Sequence, residues 1–246
     1  MEGSSMVRQQ MIQFLLFSSA QLGVRPIVKY TALSLYAERF YPSLNKKARF
    51  MRDNSKRNWL LQPFRESNMQ LFALISLWIS SKIHESCPLS VKSLKSLGDE
   101  IIGEQHFTIR DFLESEVVFM QVLDFEIGVS NIAFLFLEDL LIQFRELARV
   151  GELVNFETCM NIMDLLYETE ETSSLYASPC SLAASILVAS YVITVPKQQW
   201  EFPLLPWVKF VTSYKEESIE KLVRTILEHV LKDHLLEKKS VLEEKV

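Results

Sequence analysis

The chain has 246 residues, of which 48% are hydrophobic, and its formal net charge is −5. This hydrophobic share is ample for packed cores in one large domain or two ordinary ones, so it excludes a mostly disordered chain. Only six Gly and eight Pro occur, which excludes a fold of many hairpin turns and, with abundant Leu, Glu and Lys, favours helices. The three cysteines, an odd and widely spaced set, indicate reduced thiols in an intracellular protein.

Boundary signals predict five helices in the first half of the chain. The first spans 5–22 and ends at Gly23, and the second begins at Pro26, a favoured first-turn residue, and ends at Phe40. A basic insertion, 43–67, then precedes the third helix. Cap residues define the others. The predicted helices are 69–86, a short helix capped by Ser90 and closed by Gly98, and a helix from the Thr108–Asp111 capping box to Phe125.

After residue 128 the pattern starts again. Helices are predicted at 131–149, 155–169, 178–194, 205–214 and 216–236, with 168–171 and 237–246 as solvated ends. The third and eighth helices align at a shift of 110 residues, and both are apolar on most sides and rich in Ser and Ala. That composition is typical of the central helix of a small bundle, which its neighbours approach closely. The sequence therefore predicts two related all-α domains, 1–128 and 129–246.

Basic residues concentrate in the insertion. Residues 45–66 include seven basic and two acidic side chains, so this segment carries +5 and the remainder −10. Two interpretations stay open: a solvated loop without a partner, or a patch that meets an import receptor or phosphates. Because the basic charge is confined to one segment of an acidic protein, we expect no specific nucleic-acid partner.

Two charged residues stand where the helical pattern calls for apolar ones. Spacings of three and four put Lys82 and Glu116 on helix faces that we expect to turn inward. An ion against an apolar surface needs an opposite charge or hydrogen bonds, because its desolvation is otherwise costly. We therefore interpret the two residues as the functional site. The stripes concerned are Leu71, Leu74, Ile75, Trp78 and Ile79 before Lys82, and Phe112, Leu113, Val117, Met120 and Leu123 around Glu116.

Two tandem five-helix bundles, with Lys at the end of the first central helix and Glu in the fifth, resemble the cyclins. The resemblance covers nearly the whole chain and is closest to the plant J-class cyclins. It implies an all-α protein of two tandem five-helix cyclin-box folds that regulates a cyclin-dependent protein kinase, in cell-cycle control, without catalysis or a cofactor of its own. The segments that carry it are 7–11, 38–40, 70–72, 79–85 with Pro88, 116 with 122–127, and 176–184.

The resemblance also implies roles for single residues. In this family the residues matching Lys82 and Glu116 hydrogen-bond the kinase backbone beside its C helix, and docking completes the kinase's own phosphoryl-transfer site. Arg8 and Glu38 match an ion pair that braces the first two helices from inside. The apolar positions that receive the kinase helix match Ile79, Ile83, Met120, Phe125 and Ile127. A candidate docking patch for kinase substrates comprises Val7, Met11, Phe14 and Gln70, with Gln10 where an apolar residue is usual.

Several alternatives remain open at the level of the sequence. Glu116 can pair with Lys82 for structural reasons alone, and a helix C-terminus favours a lysine in any case. The phosphate-loop, zinc-protease and nucleophile-elbow motifs do not occur, so we expect neither an enzyme nor a metal site. The second candidate function is a cyclin-fold adaptor or transcription-related factor that binds a partner other than a kinase.

The longest apolar stretch, 181–195, is shorter than the roughly 20 residues that cross a bilayer. We therefore expect no membrane partner. The cysteine usage and the basic insertion together lead us to expect a protein of the nucleus and cytoplasm.

Overall fold

A computed structural model describes residues 2–44, 65–128, 131–199 and 202–243. The basic insertion predicted at 43–67 lies largely outside these ranges, as does the end of the predicted tail. Within them the regular secondary structure is entirely helical, which confirms the all-α prediction. No helix in these ranges is long and apolar enough to span a bilayer. The chain divides into two compact units, Met1–Ser130 and Asn131–Val246.

In the described part of the first unit, five α-helices alternate with short connections, and the second continues through a π-helical segment into an α-helical stretch at 41–44, past the end predicted at Phe40. We had predicted one continuous α-helix to residue 40, but the i→i+5 turn begins at Ser34. This wider turn places Tyr36 and Phe40 together in the core, where both are fully buried. The helices are α1 (Glu2–Gln21), α2 (Pro26–Leu33, followed by the π segment Ser34–Phe40), α3 (Glu66–His84), α4 (Val91–Ile101) and α5 (Ile109–Val122).

The third helix, α3, is the central rod of the first unit, as its composition predicted. Every residue from 67 to 81 is buried except Gln70, which is half-buried. Small side chains allow neighbouring helices to approach, and the hydroxyls of Ser76 and Ser80 find backbone acceptors. Ser76 donates to the carbonyl of Ala73, and Ser80 reaches the carbonyl of Val28 in α2, each at 2.7 Å. The core therefore contains serines without losing hydrogen bonds at these two positions.

The ends of α4 and α5 agree only in part with the predictions. Ser90 caps α4 by accepting from the amide of Ser93, and the Thr108–Asp111 capping box is present at the start of α5. Gly98 was wrongly predicted to close α4, which continues to Ile101. A Cβ on Gly98 would lie 3.4 Å from Leu74 and 3.5 Å from Phe112, which is ordinary van der Waals contact, so this buried position inside α4 also has room for an alanine.

The second unit also contains five described α-helices, and 3₁₀ segments connect several of them. The central helix is buried from Ser181 to Tyr191. Within the predicted solvated end at 168–171, Glu171 is exposed and Glu168 and Thr169 are half-buried. A 3₁₀ segment begins at Glu170 and buries Thr172, whose hydroxyl donates to the carbonyl of Leu166. The elements are α6 (Ala133–Leu147), α7 (Phe156–Glu168), α8 (Pro179–Thr194), α9 (Leu204–Thr212) and α10 (Glu216–Glu243), with 3₁₀ segments Arg149–Leu153, Glu170–Ala177 and Lys197–Gln199.

Candidate functional site

The structure brings the two predicted charges together at the surface of the first unit. Lys82 stands in the last turn of α3 and Glu116 in the middle of α5, and Nζ lies 2.5 Å from Oε1. The side chains are 38% and 16% exposed, respectively. The pair is therefore open to solvent and to a partner, although each charge also rests against apolar neighbours.

Several interactions fix the ammonium of Lys82. Its Nζ lies 3.6 Å from the centroid of the Trp78 ring, a cation–π contact worth about 0.5–1 kcal/mol at an exposed site. The indole in turn donates to the carbonyl of Leu89 at 2.9 Å. The carbonyl end of α3 adds a favourable dipole. An ammonium has three donors, so the bond to Glu116 leaves Lys82 with capacity to bind a partner's carbonyl.

Apolar side chains with exposed surface surround the ion pair. On α5, Leu113 is 50% and Val117 46% exposed, which corrects the prediction that their stripe turns inward. The reason is that α5 packs through another face, on which Phe112 and Phe119 are buried. Ile109, Leu113 and Val117 are four apart and lie on one side of α5, so these three face outward together, whereas Phe112 and Leu123 of the predicted stripe are buried. We call the following set the Lys82 surface: Lys82, Ile83, Ile109, Leu113, Glu116, Val117, Met120, Phe125 and Ile127.

Of the five apolar residues implied to receive the kinase helix, four have accessible surface. Ile83 and Phe125 are exposed, and Met120 and Ile127 are half-buried. Ile79, by contrast, is buried, so it supports this surface from below and offers almost no area to a partner. Sequence reasoning missed Ile109 as a member, although its spacing of four before Leu113 was the available signal.

A strained loop ends α5 and presents Phe125. Asp124 and Phe125 have φ values of 53° and 60°, a left-handed conformation that costs on the order of 1–3 kcal/mol for a residue other than glycine. The amide of Phe125 donates to the carbonyl of Met120 at 2.8 Å. This turn ends the helix at Val122, earlier than we predicted, and leaves the Phe125 ring 63% exposed. The turn therefore holds a large exposed ring in a conformation that glycine adopts more easily.

Comparison with known proteins identifies the family to which this arrangement belongs. Residues 2–128, more than half of the chain, match the family described as "Cyclin, N-terminal domain". The chain belongs to the cyclin family. A curated relative from Oryza sativa subsp. japonica, "Cyclin-J18-like", is 59% identical over 228 residues, which is 92% of this chain and 87% of the relative. "Cyclin-J18" of Arabidopsis thaliana is 59% identical over 225 residues, covering 92% of this chain and 95% of that protein.

These relatives confirm the predicted resemblance of this cyclin to the plant J-class. Among solved structures, a viral cyclin from herpesvirus saimiri shares the fold with a TM-score of 0.64. It is 15% identical, and the match covers 93% of this chain and 84% of that chain. At such low identity the match supports only the shared fold. The roles of individual residues in this cyclin follow from their own surroundings.

A polar clamp holds the end of α3 beside Lys82. The guanidinium of Arg25 donates to Glu85 at 2.8 Å and to the carbonyl of His84 at 2.6 Å. The His84 ring shares a hydrogen bond with Thr31 at 2.8 Å. Partial burial lowers the pKa of His84, the nearby charge of Arg25 lowers it further, and Glu85 acts in the opposite direction. Sequence reasoning missed this clamp, because Arg25 and Glu85 lie 60 residues apart.

The remaining predicted residues lie elsewhere in the first unit. Arg8 in α1 is buried and Glu38 in the π segment is half-buried, and their pairing stays a prediction. In the candidate substrate patch, Val7, Phe14 and Gln70 are half-buried, whereas Met11 is fully buried in the core. Met11 therefore offers no surface to a substrate in this conformation.

Within the described ranges, no group of three or more His, Cys, Asp or Glu side chains could hold a metal ion. The three cysteines, Cys87, Cys159 and Cys180, are free. Burial raises the pKa of the Cys159 thiol, which disfavours the reactive thiolate. What the Lys82 surface offers is therefore a set of binding contacts: exposed apolar area with one fixed ion pair within it.

Proposed function

We propose that this cyclin is the regulatory subunit of a cyclin-dependent protein kinase and that the Lys82 surface binds the kinase's C helix. The observation that supports this most directly is the accessible ion pair, with Lys82 and Glu116 2.5 Å apart among exposed apolar side chains. Apolar area provides the free energy of association, and the two charges fix the orientation of the partner.

The shape of the surface favours a helical partner. Ile109, Leu113 and Val117 recur every four residues along α5, which gives a linear stripe that a second amphipathic helix can cover. A helix has unpaired amide donors at its start and unpaired carbonyl acceptors at its end. Because Lys82 and Glu116 are 2.5 Å apart, they meet only one end of a docked helix: Glu116 accepts from free amides at its start, or Lys82 donates to free carbonyls at its end.

Kinase activation follows from docking under this proposal. In protein kinases, a Glu of the C helix must meet a Lys of the third strand before phosphoryl transfer can proceed. A cyclin that binds the C helix more tightly in this active arrangement than in the inactive arrangement shifts the kinase toward the active one. The transferred phosphoryl group and the residues that act on it belong to the kinase, and this cyclin contributes none of them.

The test replaces both charges, Lys82→Ala with Glu116→Ala, and measures binding to each of a panel of purified cyclin-dependent kinases. We expect the Kd for the bound kinase to rise at least 100-fold and its peptide phosphorylation to fall accordingly. The melting temperature should change little, because a partly exposed ion pair contributes only about 0–1 kcal/mol to stability. A matched control is Lys95→Ala with Asp99→Ala, which removes an ion pair of α4 and should leave binding unchanged.

Three results would contradict the proposal in different ways. Binding at the wild-type Kd would show that the Lys82 surface is not the interface. Loss of helicity in the double variant would assign the pair a structural role. Salt-sensitive DNA binding by the purified chain, with no binding to any kinase in the panel, would favour the transcription-related alternative.

A further inference from the structure

Arg39 makes two hydrogen bonds to the backbone of the loop that presents Phe125. Its guanidinium donates through Nη1 to the carbonyl of Gly128 at 2.9 Å and through Nη2 to the carbonyl of Glu126. These carbonyls lie on either side of Ile127. The side chain thus spans the segment that follows the two left-handed residues. In the sequence, Arg39 is 87 residues from Glu126 and 89 residues from Gly128.

The residue next to Arg39 packs in the core between the two helices that carry the ion pair. Phe40, the next residue in the π segment, stacks on Phe119 of α5 with centroids 4.3 Å apart and an angle of 8° between the rings. Phe40 also contacts Phe72 of α3 at 4.9 Å. Because α3 holds Lys82 and α5 holds Glu116, Arg39 joins the loop to the elements that set the two charges.

The hydrogen bonds within the loop hold only part of it, and Arg39 holds the rest. Phe125 is bonded back to Met120 at 2.8 Å, and the amide of Ile127 donates to the carbonyl of Phe125 at 3.1 Å. These bonds fix the turn as far as Ile127. The carbonyl of Glu126, before Ile127, and the carbonyl of Gly128, after it, receive donors from Arg39. Arg39 therefore determines how the end of the loop is held against the first unit.

We propose that Arg39 is a positioning residue for partner binding: it holds Phe125 and Ile127 in the Lys82 surface by gripping the loop backbone. This inference rests on the proposed function for its effect on the kinase, but its effect on the loop is independent of any partner. An arginine suits the task because its planar fork presents two donors in fixed directions, whereas a lysine presents one point charge.

The first test needs no kinase. Amide hydrogen exchange of residues 124–128 is measured in wild type and in Arg39→Met, which keeps much of the aliphatic stem and removes both donors. We expect exchange in this segment to accelerate at least tenfold, with α3 and α5 unchanged. Arg39→Lys should restore only part of the protection. The control is Arg224→Met, which removes an exposed arginine of α10 and should leave the segment unchanged.

The second test measures coupling with the kinase that wild type binds. We expect Arg39→Met to raise the Kd about tenfold in the wild-type background, which is about 1.4 kcal/mol. In a background that already carries Phe125→Ala and Ile127→Ala, the same change should raise the Kd less than twofold, because the side chains that Arg39 positions are gone. In the Lys82→Ala background, the tenfold effect should persist.

The outcomes separate the inference from the proposed function. Unchanged exchange in Arg39→Met and in Arg39→Lys, or an equal loss of binding with and without Phe125 and Ile127, would overturn the positioning role. Global acceleration of exchange in both variants would show a general stabilising role and would also overturn it. If wild type binds no kinase but Arg39→Met frees residues 124–128, the proposed function fails while the effect on the loop stands.

Discussion

Replacing Phe125 by alanine tests the Lys82 surface most directly, because the ring contributes far more to a partner than to the fold. A phenylalanine side chain buries about 150–250 Å² when fully covered, and 63% of Phe125 is exposed. A partner that covers this remainder gains about 100–150 Å² of apolar contact, worth about 2.5–4 kcal/mol at 25 cal/mol/Å². Phe125→Ala should therefore raise the Kd for the kinase about 60- to 500-fold.

The same substitution should affect the fold only slightly. Truncating a fully buried phenylalanine costs about 3–5 kcal/mol, and only about a third of this ring is covered in the free chain. We expect a loss of about 1 kcal/mol, or about 2–4 °C in melting temperature for a chain of this size. Phe125→Gly should be more stable than Phe125→Ala by about 1 kcal/mol, because glycine adopts the left-handed conformation without strain.

The assay is isothermal titration of the purified chain with the kinase, alongside thermal melting of each variant. Phe210, which is 84% exposed in the second unit, provides a matched control, since Phe210→Ala removes an equally large exposed ring that is not a member of the Lys82 surface. A change in Kd of less than threefold for Phe125→Ala would refute the reasoning. So would a loss of stability above about 3 kcal/mol, because it would place the ring in the core.

Three further predictions concern the fold itself. Gly98→Ala should stabilise the first unit by about 0.5 kcal/mol because alanine favours the helix and its Cβ contacts would be no closer than 3.4 Å. Gly151→Ala should cost more than about 1 kcal/mol in chemical denaturation, since its Cβ would lie 2.9 Å from the backbone of Arg145. Wild type should lose stability relative to His84→Gln as the pH falls below about 6.5, because the lowered pKa of His84 makes its protonation unfavourable in the folded state. Denaturation midpoints at pH 5 and pH 8 check this, and a parallel decline in both proteins would contradict it.

Local signals in the sequence were sufficient for most of the helices. The start of α2 at Pro26, the Ser90 cap and the Thr108–Asp111 capping box all depend on residues within one turn of the helix end. The boundaries that were wrong depend on distant packing. Gly98 looks like a terminator until the neighbouring side chains of α3 and α5 are known, and the π segment exists where Phe40 meets Phe72 and Phe119.

The sequence by itself determined that this protein is helical, that it belongs with the cyclins, and that Lys82 and Glu116 are out of place on apolar faces. The helices and the two charges follow from composition and from spacings along single helices, which a linear chain displays directly, whereas the family follows from the resemblance of particular segments to the cyclins. Only the tertiary structure decided which face of α5 is buried, and hence that Leu113 and Val117 are exposed while Ile79 is not. The tertiary structure alone also showed that Arg39 contacts the loop after α5. Such contacts depend on how the helices pack, and no fixed spacing in the sequence predicts them.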